Sequence, residues 1–173
     1  MKPTRPTAKA GAHLSKKEIH QRFVDQFTSE LESITAAAKR SFATATSEEH
    51  RAEGKYDTFK LESSFLSRGL AMRVDELTRA LQSLQELPLV GHRPSAPIQP
   101  GDLIRLKDGD DKTVTLFLGD DVGGETIMAN GEEISIVSAR SPLGQAVQGK
   151  TTGETFTLKI GSSTRTYTVV SVE

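Results

Sequence analysis

Apolar residues recur at Ile19, Phe23, Phe27, Leu31, Ile34 and Ala38, three or four positions apart. That spacing keeps one stripe on one face of a helix. A second stripe follows at Leu66, Leu70, Val74, Leu77, Leu81 and Leu84. Its steps approximate a heptad, so two helices can pack by knobs into holes. Ser15 followed by Glu18 predicts the start of the first helix, because hydroxyl and carboxylate each satisfy a backbone N–H left free in a first turn. No proline or glycine interrupts Ser15 to Glu53. The weakly apolar run from Ala43 to Ser47 separates the stripes, and Thr46 with Glu49 reads as a second capping box. The second helix is therefore expected from near Ser47. A connection that short makes the pair an antiparallel αα-hairpin, reaching about 45–60 Å. Gly69 inside the second stripe costs about 1 kcal/mol relative to alanine. The alternative use of two such stripes is a four-helix bundle formed by dimerisation.

The helical period stops at Pro88, and Pro94, Pro97, Pro100 and Gly91 mark a linker, semi-rigid where prolines are dense. Beyond Pro100 the period changes to two. Strands are predicted at 103–106, 114–118, 125–128, 134–137, 155–158 and 167–170. Asn130-Gly131 signals a tight hairpin. Pro142 predicts a short helix over Leu143–Gln148 that ends before Gly149. The expected organisation is a disordered leader over 1–14, an antiparallel coiled coil over 15–87, a Pro-rich linker over 88–100 and a mostly antiparallel α+β domain over 101–173. The two units are expected to share little core.

Composition narrows the function. Hydrophobic residues make up 35% of the 173, low for one compact globule and suited to a thin hairpin. The absence of cysteine excludes disulfides, thiolate metal sites and a cysteine nucleophile. His13, His20, His50 and His92 have no metal-ligand spacing. No apolar stretch approaches the roughly 20 residues of a membrane span, and the basic N-terminus lacks the apolar core of a signal peptide. A cytoplasmic protein is expected. With a net charge of −1, any contact with nucleic acid must come from a local patch.

The stretch from Ser141 to Lys150, SPLGQAVQGK, followed by Gly153-Glu154, resembles the signature of the Gre family of bacterial transcript-cleavage factors. Ala52-Glu53-Gly54-Lys55-Tyr56 is similar to that family's coiled-coil tip. The resemblance implies an FKBP-like C-terminal domain that docks through Ser141, Pro142 and Leu143 at the secondary channel of RNA polymerase. It implies that the hairpin enters that channel and promotes cleavage of backtracked RNA. The chain would be no enzyme itself and would bind no cofactor alone. Glu49 and Glu53, with Glu48 and Asp57 as second choices, would share Mg²⁺ with the polymerase. Mg²⁺ suits this role because it keeps several waters and takes one or two carboxylates. Arg51, Lys55 and Lys60 would face the nascent RNA 3′ end. DNA binding, a monomer and no membrane association complete the implied picture.

Two departures from the family pattern stand in the sequence. The family's aspartate three positions before the tip glutamate is replaced by His50, and Arg140 stands where an acidic residue commonly precedes Ser-Pro. Other readings stand beside the functional ones. Glu48 and Glu49 could serve only the positive end of the second helix's dipole. Lys39, Arg40, Arg68, Arg73 and their basic neighbours could form a solvated face. A regulator using the same channel to inhibit or tune the polymerase, a peptidyl-prolyl isomerase and a coiled-coil scaffold are the competing functions.

Overall fold

The computed structural model describes residues 14–49 and 57–173. Helix α1 spans Lys16–Glu49 and α2 spans Asp57–Gln85. The expected cap at the start of α1 is present. Glu18 Oε2 accepts from Ser15 N at 2.8 Å and from Ser15 Oγ at 2.7 Å, and these bonds hold the Glu18 carboxyl below its ordinary pKa. The second helix begins ten residues later than the Ser47 predicted, since Thr46 and Glu49 lie inside α1. Nothing in Ala43–Ser47 breaks a helix, and Gly54, the first glycine or proline after Leu14, falls between the two helices.

The helices pack along a seam that also differs in one place from the predicted stripe. Leu66 is 59% exposed, whereas Ser67 is 4% exposed and its Oγ lies 3.0 Å from Ser41 Oγ. Counting back from Leu84 in heptad steps gives 81, 77, 74, 70 and then 67, so the regular seam passes through the serine. Arg73, counted among the solvated cations, instead reaches Glu30 on α1 at 2.6 Å. Gly69 has no atom within 4 Å of where a Cβ would stand. Gly69→Ala is therefore expected to stabilise the protein by up to about 1 kcal/mol in urea denaturation.

The remaining chain forms one six-stranded sheet. In chain order it comprises β1 Leu103–Asp108, β2 Thr113–Gly119, β3 Thr126–Ala129, β4 Glu132–Ser138, the short helix α3 Pro142–Val147, β5 Thr155–Ile160 and β6 Ser163–Val172. The strand order is β3-β4-β2-β1-β6-β5, antiparallel throughout except where β2 and β4 pair in parallel. Asn130 and Gly131 both adopt positive φ, 56° and 75°, as the predicted β3–β4 hairpin turn requires. Alternation along each strand sends side chains to two faces. Ile104, Leu106, Leu116, Leu118, Phe156, Leu158, Tyr167 and Val169 pack with Val147 of α3 and Ile98 from the segment before β1.

The opposite face is covered by the base of the hairpin, which corrects the expectation of little shared core. Ile19, Phe23, Phe27, Leu77, Leu84 and Leu87 form one buried cluster with Leu103, Phe117, Ile127, Ile134 and Ile136. The Phe117 ring lies 6.0 Å from that of Phe23 and 5.9 Å from that of His20. Polar contacts frame this junction. His20 Nε2 donates to Leu84 O at 2.7 Å, and Arg22 Nη1 donates to Met128 O at 2.9 Å. Lys16 Nζ donates to Val90 O at 2.7 Å and lies 3.7 Å from Asp102, which also accepts from His92 Nδ1 at 3.1 Å. No helix among the described residues is long and apolar enough to cross a membrane.

Candidate docking site

The short helix α3 is positioned by its own first turn. Ser141 is extended, with φ −70° and ψ 158°, and its Oγ accepts from Gly144 N at 3.1 Å. The same hydroxyl donates to Ser138 O at 2.7 Å, and Ser141 N donates to that oxygen at 3.0 Å. Pro142 opens the helix where its missing N–H costs nothing. Gly144 has no room for a side chain, because a Cβ would stand 2.0 Å from Ser138 O and 2.8 Å from Ala139 Cα. The start of α3 is thus pressed against the end of β4. Downstream, Glu154 Oε2 accepts from Thr151 N at 2.7 Å and Thr151 Oγ1 at 3.0 Å, which keeps the Glu154 carboxyl below its ordinary pKa.

A groove of about 570 Å³ opens beside this turn. Val137, Leu143, Leu158 and Tyr167 give it an apolar lining, and Ser141 and Pro142 form part of its wall. Residues of β3 and β4 line it together with residues of β5 and β6, although these pairs lie at opposite ends of the strand order. The sheet must curl around α3 to bring them to one place. Among the described residues, Asp121 and Glu125 from the β2–β3 connection supply the only charged side chains in the lining. Arg140 Nε lies 2.6 Å from Asp121 Oδ1. The predicted docking trio therefore sits together on a real concavity. Asp121, Glu125 and Tyr167 also line the groove, which their sequence positions do not signal, each reading only as a loop carboxylate or a strand aromatic.

The acidic candidates lie elsewhere. Glu48 and Glu49 end α1, Asp57 begins α2, and Lys60 follows within the first turn of α2. Glu53, Arg51 and Lys55 lie outside the described residues. The placement overturns one alternative for Glu48 and Glu49. They stand at the C-terminal, negative end of the α1 dipole, with no basic residue in that last turn, where carboxylates are disfavoured by about 0.3–1 kcal/mol. At 1.5 Å per residue the 34-residue α1 carries them about 50 Å from the sheet end of the hairpin. Among the described residues no group of three or more acidic or imidazole side chains converges to hold a metal ion.

These features define a two-unit protein: a helical finger seated on a curled sheet domain that has an apolar groove beside α3. Residues 94–173 match the family model described as transcription elongation factor, GreA/GreB, C-terminal. The match takes in the whole sheet domain, from the segment before β1 to the last residue, so this part of the chain is similar to the C-terminal domain of those factors. No curated protein matches the chain. Among solved structures it is similar to Gfh1 of Thermus aquaticus, at 15% identity and TM-score 0.38, with 86% of this chain and 92% of that one covered. The GreA factor homolog 1 of Thermus thermophilus gives 14% identity and TM-score 0.37, with 87% and 94% covered. The GreA/GreB elongation factor of Nitrosomonas europaea gives 20% identity and TM-score 0.33, with 68% and 94% covered.

Proposed function

We propose that the chain binds RNA polymerase through the groove at Ser141–Leu143 and projects its hairpin into the secondary channel. There it stimulates cleavage of backtracked RNA by the polymerase's own active site. The observation that carries this reading is the position of Glu48 and Glu49 at the dipole-negative end of α1, more than 20 residues and so about 30 Å beyond Phe27, the last α1 residue in the cluster shared with the sheet. Carboxylates placed against the local field gain from a neighbouring cation. Glu49 and Glu53 would hold part of the coordination of one Mg²⁺, with Glu48 and Asp57 beside them, and the polymerase would complete it. The ion, when bound, stabilises attacking and leaving oxygens. The chain contributes negative charge at a fixed reach, and Arg51, Lys55 and Lys60 offer phosphate contacts without sequence preference. The protein itself performs no reaction.

Added to a stalled, backtracked elongation complex, the protein is expected to shorten the RNA from its 3′ end. Glu53→Ala should slow that shortening by roughly tenfold or more while polymerase binding persists. Retained binding without any shortening by the unaltered protein would refute cleavage stimulation. The factor would then be a channel regulator that inhibits or tunes the polymerase, consistent with His50 standing where the family places a tip aspartate.

A further inference from the structure

We propose that the groove beside α3 receives a polymerase segment carrying an apolar side chain with a lysine or arginine next to it, and that Arg140 competes with that cation for Asp121. The inference rests on the docking reading above and specifies the chemistry of the surface that docks. The groove's apolar residues, Val137, Leu143, Leu158 and Tyr167, suit an aliphatic or aromatic anchor. Its two charged lining residues are both carboxylates. Glu125 accepts from Gln26 Nε2 at 3.0 Å, a neutral donor that leaves its charge uncancelled. Asp121 instead meets Arg140 Nε at 2.6 Å.

That pair is exposed, Arg140 by 77% and Asp121 by 47%. An ion pair so open to water is worth no more than about fivefold in an equilibrium constant. A partner that covers the rim excludes water, and its own cation then interacts with Asp121 at a lower effective dielectric. An acidic segment would meet two like charges and be rejected. Arg140 can leave without loosening the docking turn. That turn is held by the Ser138, Ser141 and Gly144 bonds and by Gln145 Nε2 donating to Arg140 O at 3.0 Å, none of which uses the guanidinium.

The test is the affinity of the full chain for core RNA polymerase at several salt concentrations, for Arg140→Ala, Asp121→Asn and Leu143→Glu, with thermal melts confirming that each variant folds. Arg140→Ala is expected to tighten binding about two- to fivefold, the competing pair being gone. Asp121→Asn is expected to weaken it about fivefold and to flatten the salt dependence. Opposite signs are the signature, because a pair that merely braces the two loops would make both substitutions weaken binding alike. That result overturns the proposal. So does the reverse pattern, which would mean an acidic partner, and so does no change in either variant. Leu143→Glu separates the two levels. If it leaves affinity intact, the docking reading fails and takes this inference with it. If it alone weakens binding, only the role of Arg140 and Asp121 fails.

Discussion

Phe117→Ala is expected to cost about 3–5 kcal/mol of stability. Phe117 is fully buried at the junction, its ring within 6.0 Å of Phe23 on α1 and 5.9 Å of His20. Removing it opens a cavity bordered by both units, which a rigid sheet and two stiff helices cannot collapse around. The loss should appear in urea denaturation followed by far-ultraviolet circular dichroism, and the helical signal should become the more sensitive to denaturant. The hairpin's remaining hold on the sheet is the rest of that buried cluster, with rim contacts such as Arg22 to Met128 O and Lys16 to Asp102. Phe156→Ala provides the contrast. That ring stacks on Tyr167 on the other face of the sheet, in the cluster with α3, so its loss should leave the hairpin's seat undisturbed. A cost below about 1 kcal/mol for Phe117→Ala would mean that the shared core is not a cooperative unit.

Gly144→Ala carries the second large effect. The added methyl group would meet Ser138 O at 2.0 Å, a backbone atom that cannot swing aside. Helix α3 must then lift from β4, stretching the bonds by which Ser141 N and Oγ hold Ser138 O. Overpacking of this kind costs about 1–3 kcal/mol, and under the proposed docking the shifted Pro142 and Leu143 should lower polymerase affinity in the same variant. Gln148→Ala, at the exposed far end of the same helix, should stay within about 0.5 kcal/mol of the parent in stability. Melting temperature and a polymerase binding assay on both variants decide the matter. An unchanged melting temperature for Gly144→Ala would contradict the close approach of α3 to β4.

Much of this architecture is legible in the order of residues alone, for reasons that differ by element. The start of α1 can be read because Ser15 and Glu18 satisfy each other's backbone groups within four residues. The β3–β4 turn can be read because Asn130 and Gly131 tolerate positive φ. The turn that opens α3 can be read from Ser-Pro-Leu-Gly, since Ser141 caps α3 and Pro142 opens it. The start of α2 was misplaced because Thr46 and Glu49 have capping chemistry but no helix breaker beside them, and a local motif cannot interrupt a helix that nothing terminates. Leu66 was misplaced because apolar character was favoured over heptad register, and packing placed Ser67 in the seam instead.

Periodicity and local hydrogen bonding, then, determined which segments are helix, which are strand and which face of each is apolar. What covers each apolar face was decided only in three dimensions. Arg22 meets Met128 across 106 positions, and His20 meets Leu84 across 64. The groove collects side chains from Asp121 to Tyr167 because the sheet curls, a property of the assembled strands rather than of any one of them. A stripe of apolar residues records that it must be buried, since leaving it in water is costly. It holds no record of its partner, because the hydrophobic effect is non-directional and only shape and the few polar contacts at the rim select among the surfaces available.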